Sequence, residues 1–158
     1  MGPAGATLVV IKDDILGNTN RQIPSMLDYQ IHIDKGSMFN TPPVFSVYVS
    51  MLTLEWLKDL GGIEAVEKLN NAKAELLYNE IDRNPLFEGA AAMEDRSNMN
   101  VTFLLKEETK KDQFDAMCKD AGINGIKGHR SVGGFRASIY NAMPIESIQV
   151  LVDIMKKL

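Results

Sequence analysis

The chain has 158 residues, enough for one domain with its own core or for two incomplete pieces. Its net charge of −4 argues against broad attraction to nucleic acid or to an acidic membrane surface. No apolar run approaches the roughly 20 residues that span a bilayer, and 45% hydrophobic with 24% charged residues is ordinary for a soluble globular protein.

The opening, Met1 to Lys12, lacks the charged segment and cleavage site of a secretory signal. Cys118 is the only cysteine, which excludes a disulfide framework and a cysteine-based metal site. Its place in an amphipathic stretch predicts an inert, buried thiol rather than a nucleophile, and an intracellular, cytoplasmic location follows as the default.

Thr7 to Ile11, TLVVI, reads as a short strand buried on both faces, although nothing before it offers a neighbour. Asn18 to Gly36 reads as polar and irregular. Asn40-Thr41-Pro42-Pro43 is the first sharp boundary, because proline is well tolerated where a helix opens. Val44 to Leu60 then has a broad apolar helical face, and Gly61-Gly62 ends it. The spacing predicts a second helix over Ile63 to Arg83, with Ala65, Leu69, Ala72 and Leu76 inward and Glu64, Glu67, Lys68 and Lys73 outward.

Asn84-Pro85 breaks that helix, and Pro85 to Asn98 reads as loop. Val101 to Leu105 is a strand by composition, Lys110 to Ala121 a helix closed by Gly122, and Phe135 to Tyr140 another strand. Pro144 opens a final helix with Ile145, Ile148, Leu151, Val152 and Met155 on one face. The expected fold class is α+β: a small domain with a mostly antiparallel sheet covered by helices, joined to a remnant of a larger α/β-class domain. The expected division is residues 1–60 for the remnant and its connecting helix, and 61–158 for the small domain.

Chemistry concentrates in Gly125 to Arg136, GIKGHRSVGGFR, where Lys127, His129, Arg130 and Arg136 alternate with four glycines. Glycine lets a backbone approach a ligand, and a guanidinium binds carboxylate or phosphate through paired planar hydrogen bonds. The segment is a candidate anion site; a solvated basic hairpin loop is the alternative. Arg136 opens an apolar strand and is expected to point inward at a cleft, where it needs a structural carboxylate or a ligand carboxylate. His129 has no second histidine or cysteine nearby, so it suits donation to an anion better than metal binding; a plain surface histidine is the other reading. Asn40 and Thr41 read as a helix cap or, at the same electropositive helix end, as donors to a phosphate.

Five motifs in register then carry a resemblance: Gly2-Pro3-Ala4-Gly5, Met26-Leu27-Asp28-Tyr29, Asn40-Thr41-Pro42-Pro43, Gly128-His129-Arg130 and Arg136-Ala137-Ser138-Ile139-Tyr140-Asn141-Ala142-Met143-Pro144. In order and spacing the chain resembles the C-terminal part of the phosphoserine aminotransferases, over essentially its whole length. The resemblance implies a fold-type I, pyridoxal 5'-phosphate-dependent transaminase. Such an enzyme moves an amino group between L-glutamate and 3-phosphohydroxypyruvate, giving phosphoserine and 2-oxoglutarate in serine biosynthesis. It also implies a homodimer with active sites at the subunit boundary. Asn40 and Thr41 match the pair that reaches the cofactor phosphate of the other subunit. Arg136 matches the arginine on the substrate α-carboxylate, and His129 and Arg130 match holders of the substrate phosphate.

In the family the Schiff-base lysine lies a few residues before Gly-Pro-Ala-Gly. Here Met1 directly precedes Gly2, and the first lysine is Lys12. No residue of this chain is therefore assigned a catalytic role, and the expectation is activity in the full-length enzyme and none from these residues alone. Acceptance of the related four-carbon phosphorylated substrate of vitamin synthesis stays open. The reading from another class is a non-catalytic α+β module that binds a phosphorylated or carboxylate metabolite. A purely structural dimerisation piece is a third.

Overall fold

The computed structural model describes residues 2–129 and 133–158. The chain divides into two compact units, Met1–Asp59 and Leu60–Leu158.

The second unit has the core. Helix α3 (Gly62–Arg83) is followed by strand β1 (Phe87–Gly89), strand β2 (Asn100–Leu105), helix α4 (Lys111–Asp120), strand β3 (Phe135–Ser138) and helix α5 (Ile145–Lys157). The three strands form one antiparallel sheet in the order β1-β2-β3. Phe103 sits opposite both Gly89 and Phe135, and Val101 opposite Ala137. Together with five helices in the described residues this is the α+β architecture expected.

Four phenylalanines knit the sheet to α4. Phe87, Phe103, Phe114 and Phe135 are all buried, with ring centroids 4.9–6.3 Å apart and several edge-to-face pairs. Helix α5 adds Ile148, Leu151, Val152 and Met155, as its spacing predicts, although Ile145 stays 39% exposed. Helix α4 ends on Gly122 (φ +78), where the Ile123 N–H reaches back to Cys118 O at 2.9 Å.

Three sequence expectations fail here. The inward face of α3 is Val66, Ala74, Leu77, Tyr78 and Ile81 with Asn70 and Lys73, while Leu69 is 50% exposed. The four residues Ala65, Leu69, Ala72 and Leu76 do share a helical face, but the larger side chains of the neighbouring face fill the core. Strand β1 lies inside the stretch read as loop, short enough at three residues to leave no periodic trace. Strand β3 stops at Ser138, not Tyr140.

The first unit is built differently. A short helix α1 (Tyr29–Asp34) sits within the stretch read as irregular, with Asp28 Oδ1 accepting from the Gln30 N–H at 3.0 Å as its cap. Helix α2 (Val44–Asp59) follows Pro42-Pro43 as expected, but most of its apolar residues stay exposed, Phe45 at 73% and Val44 at 68%. Thr7 to Ile11 forms no strand, and Leu8 and Val10 are 85% and 88% exposed. A strand needs a ladder partner, and these residues find none among those described.

Gly2-Pro3-Ala4-Gly5 does find a place. Ser46 Oγ of α2 donates to Ala4 O at 2.9 Å, and a Cβ on Gly5 (φ +121) would stand 2.7 Å from that hydroxyl. The glycine is what lets the turn lie on the helix.

Candidate functional site

The described parts of the basic segment, residues 125–129 and 133–136, lie against one another beyond α4. Ile126 anchors them by burial. The Arg136 N–H donates to Ile126 O at 2.7 Å, the Gly128 N–H to Gly134 O at 2.9 Å, and the Gly133 N–H to His129 O at 2.8 Å. The segment thus covers part of the outer edge of β3, with Lys127 bridged to Phe135. Lys127 Nζ lies 3.6 Å from Asp115 Oδ2, so this lysine already faces an acid.

Strand β3 alternates strictly. Phe135 and Ala137 face the core, while Arg136 and Ser138 are exposed. Arg136 therefore points away from the apolar core; the two-residue period gives the core positions to its neighbours. It stands opposite Thr102 in the ladder and helps line a cavity of about 330 Å³ with Asn124, Ser138, Met143 and Ser147. Among the described residues no carboxylate pairs with the Arg136 guanidinium. Its fork is thus open to an external acid group. His129 is exposed. Arg130 lies outside the described residues.

Asn40 and Thr41 lie in the first unit, exposed, separated from α2 by Pro42 and Pro43. Their side-chain oxygens do not cap the helix: the amide of Asn40 donates to Thr41 O at 3.3 Å, and the Val44 and Val47 N–H groups bond to Pro42 O and Pro43 O. The first turn of α2 holds no acid. Two polar side chains beside an electropositive helix end suit a phosphate oxygen. Upstream, His32 Nε2 donates to Met26 O at 3.0 Å, and its ring meets Phe39 edge-on at 5.6 Å, which ties down the approach to Asn40.

Two further residues escaped the sequence reading. Lys73 and Asn70, on the buried face of α3, both reach the segment that follows β3. The signal was there in the helical period: Val66, Ala74, Leu77 and Ile81 share a face, and positions 70 and 73 interrupt it with polar side chains. Burial holds the Lys73 ammonium below its ordinary pKa of 10.5.

The aminotransferase class-V family matches residues 1–151, and the chain belongs to that family. Within it the chain is similar to phosphoserine aminotransferases. It is 71% identical to the one from Flavobacterium johnsoniae, over all of this chain and 44% of that protein. A phosphoserine aminotransferase structure recording radiation damage of the Schiff base superposes with a TM-score of 0.89 at 48% identity, over 99% of this chain and 44% of that one. The PLP-bound phosphoserine aminotransferase from Trichomonas vaginalis gives a TM-score of 0.76 at 38% identity, over 85% of this chain and 39% of that one. The chain thus spans less than half the length of these relatives. Among the described residues no helix is long and apolar enough to cross a membrane, and no acidic, histidine or cysteine cluster is fit to hold a metal.

Proposed function

We propose that these residues supply the substrate grips of a phosphoserine aminotransferase, acting in the full-length enzyme. The observation that carries this reading is the 71% identity along the entire chain to the Flavobacterium johnsoniae enzyme. The open guanidinium of Arg136 beside a cavity agrees with it.

In this reading Arg136 takes the α-carboxylate of L-glutamate or of 3-phosphohydroxypyruvate through two parallel hydrogen bonds. His129 and Arg130 donate to the substrate phosphate. Asn40 and Thr41 donate to the phosphate of pyridoxal 5'-phosphate held by the other subunit of a homodimer. The cofactor, when bound, supplies the electron sink for the carbanion at Cα. This chain orients the substrate and neutralises both its anionic ends; each charged hydrogen bond contributes roughly 1.5–3 kcal/mol. Residues 1–60 belong with the large cofactor-binding domain and 61–158 with the small one. No residue of the chain is assigned the Schiff base, and the enzyme works in the cytoplasm in serine biosynthesis.

The test is Arg136→Lys in the full-length enzyme. It removes the planar two-point grip but keeps the charge, so KM for glutamate should rise about tenfold or more while cofactor affinity holds. Equal loss of substrate and cofactor binding, or an unchanged KM, would reject the assignment.

A further inference from the structure

Lys73 is the only buried lysine among the described residues, at 2% exposure. Its Nζ donates to Ile139 O at 3.0 Å and to Tyr140 O at 2.8 Å, and no carboxylate faces it among the described ion pairs. One helical turn earlier, Asn70 Nδ2 donates to Asn141 Oδ1 at 2.8 Å, while Asn70 Oδ1 is buried with no partner. Helix α3 therefore holds three consecutive residues, 139 to 141, through two side chains. From the other side, the Ile139 N–H donates to Met99 O at 2.9 Å and Asn100 Nδ2 donates to Tyr140 Oη at 2.9 Å.

In a strand, successive carbonyls point to opposite sides. Here two successive carbonyls, just beyond the last residue of β3, meet one ammonium. A methionine at position 73 would fill the same space without the cost of burying a charge. What the ammonium adds is direction: it fixes two carbonyls at once, three and four residues beyond Arg136.

We propose that Lys73, assisted by Asn70, is a positioning residue for the carboxylate grip: by clamping the link Ile139–Asn141 it sets the placement of β3 and of the Arg136 guanidinium. The proposal rests on the role given to Arg136 under Proposed function. Lys73 touches neither substrate nor cofactor; it acts through the strand.

The full-length enzyme carrying Lys73→Met tests it. KM for glutamate and for O-phosphoserine should rise about tenfold or more, since small displacements of a grip cost large factors in binding. Affinity for pyridoxal phosphate, read from its visible absorbance, should stay within about twofold. Lys73→Gln, which keeps N–H donors on a shorter, uncharged side chain, should fall between. Val152→Ala, a core change away from the link, should lower the melting temperature and leave KM within about twofold. Lys73→Met combined with Arg136→Lys should raise KM by less than the product of the single effects, because both act on one grip.

An unchanged KM in Lys73→Met, with Arg136→Lys still raising it, overturns the positioning role and leaves the reading of Arg136 standing. An unchanged KM in Arg136→Lys removes the reading itself and the proposal with it. If Lys73→Met does not fold, Asn70→Ala carries the test: it cuts the second tie, and an unaltered KM there overturns the clamp.

Discussion

Gly134 lies against the backbone of Phe103 so closely that a Cβ on it would stand 2.7 Å from the Phe103 carbonyl oxygen and 2.5 Å from Leu104 Cδ2. Its φ is +63, in the left-handed region. Space and conformation both demand glycine. Gly134→Ala should therefore destabilise the fold by at least about 2 kcal/mol, combining left-handed strain with overlap against backbone that cannot yield. Urea unfolding measures it. The same variant should weaken carboxylate substrates in the full-length enzyme, since Arg136 follows two residues later on the displaced strand.

The ion pair of Asp82 with Arg96 makes the lower end of the pH range informative. Arg96 Nη1 and Nη2 each lie 2.7 Å from one Asp82 oxygen, and the guanidinium sits 4.5 Å over the Tyr78 ring. The Arg96 hydrogen bonds hold the Asp82 carboxyl below its ordinary 3.8. A depressed carboxyl contributes stability that is present above 3.8 and lost as the pH falls through the folded value. Asp82→Asn should thus cost about 1 kcal/mol at pH 7, a figure discounted for the 44% exposure of Asp82, and the gap should close below pH 3.8. A gap that persists in acid would contradict the pairing.

Cys118 should behave as a packing group. It is 1% exposed, and burial pushes its thiol up to about 11. Iodoacetamide at pH 8 should leave it unlabelled in the native protein and label it fully once the chain is unfolded. Rapid native labelling would mean that α4 opens on its own.

Thr41→Ala distinguishes a cofactor contact from a merely local one. Its hydroxyl caps no helix N–H among the described residues, so removing it should leave the melting temperature nearly unchanged. In the full-length enzyme the same change should weaken pyridoxal phosphate by about tenfold, the worth of one charge-assisted hydrogen bond. Unaltered cofactor affinity would withdraw Thr41 from the site.

The small domain was legible in the sequence to a large degree, and the reasons are local. Val101 to Leu105 is β-branched and aromatic, Pro144 opens α5, and Gly122 closes α4; each is a signal that tertiary contacts did not override. What failed depended on partners distant in sequence. The α3 face was misjudged because Lys73 was scored as a surface charge, whereas the carbonyls of Ile139 and Tyr140, more than sixty residues away, make its burial tolerable. TLVVI has the composition of a strand, but a ladder is a property of two segments, not one. At the candidate site the side of the sheet that Arg136 takes was not legible, because it depends on which face the four phenylalanines occupy.

The unequal interiors of the two units set how the chain by itself will melt. Ser46 is the only buried residue described in the first unit, whereas the second has a continuous apolar centre. Calorimetric enthalpy should therefore correspond to the second unit alone, about 70 kcal/mol near 60 °C for on the order of 100 residues. The helix bearing Phe45, Tyr48 and Trp56 should contribute ellipticity that fades gradually and adds almost nothing to the endotherm.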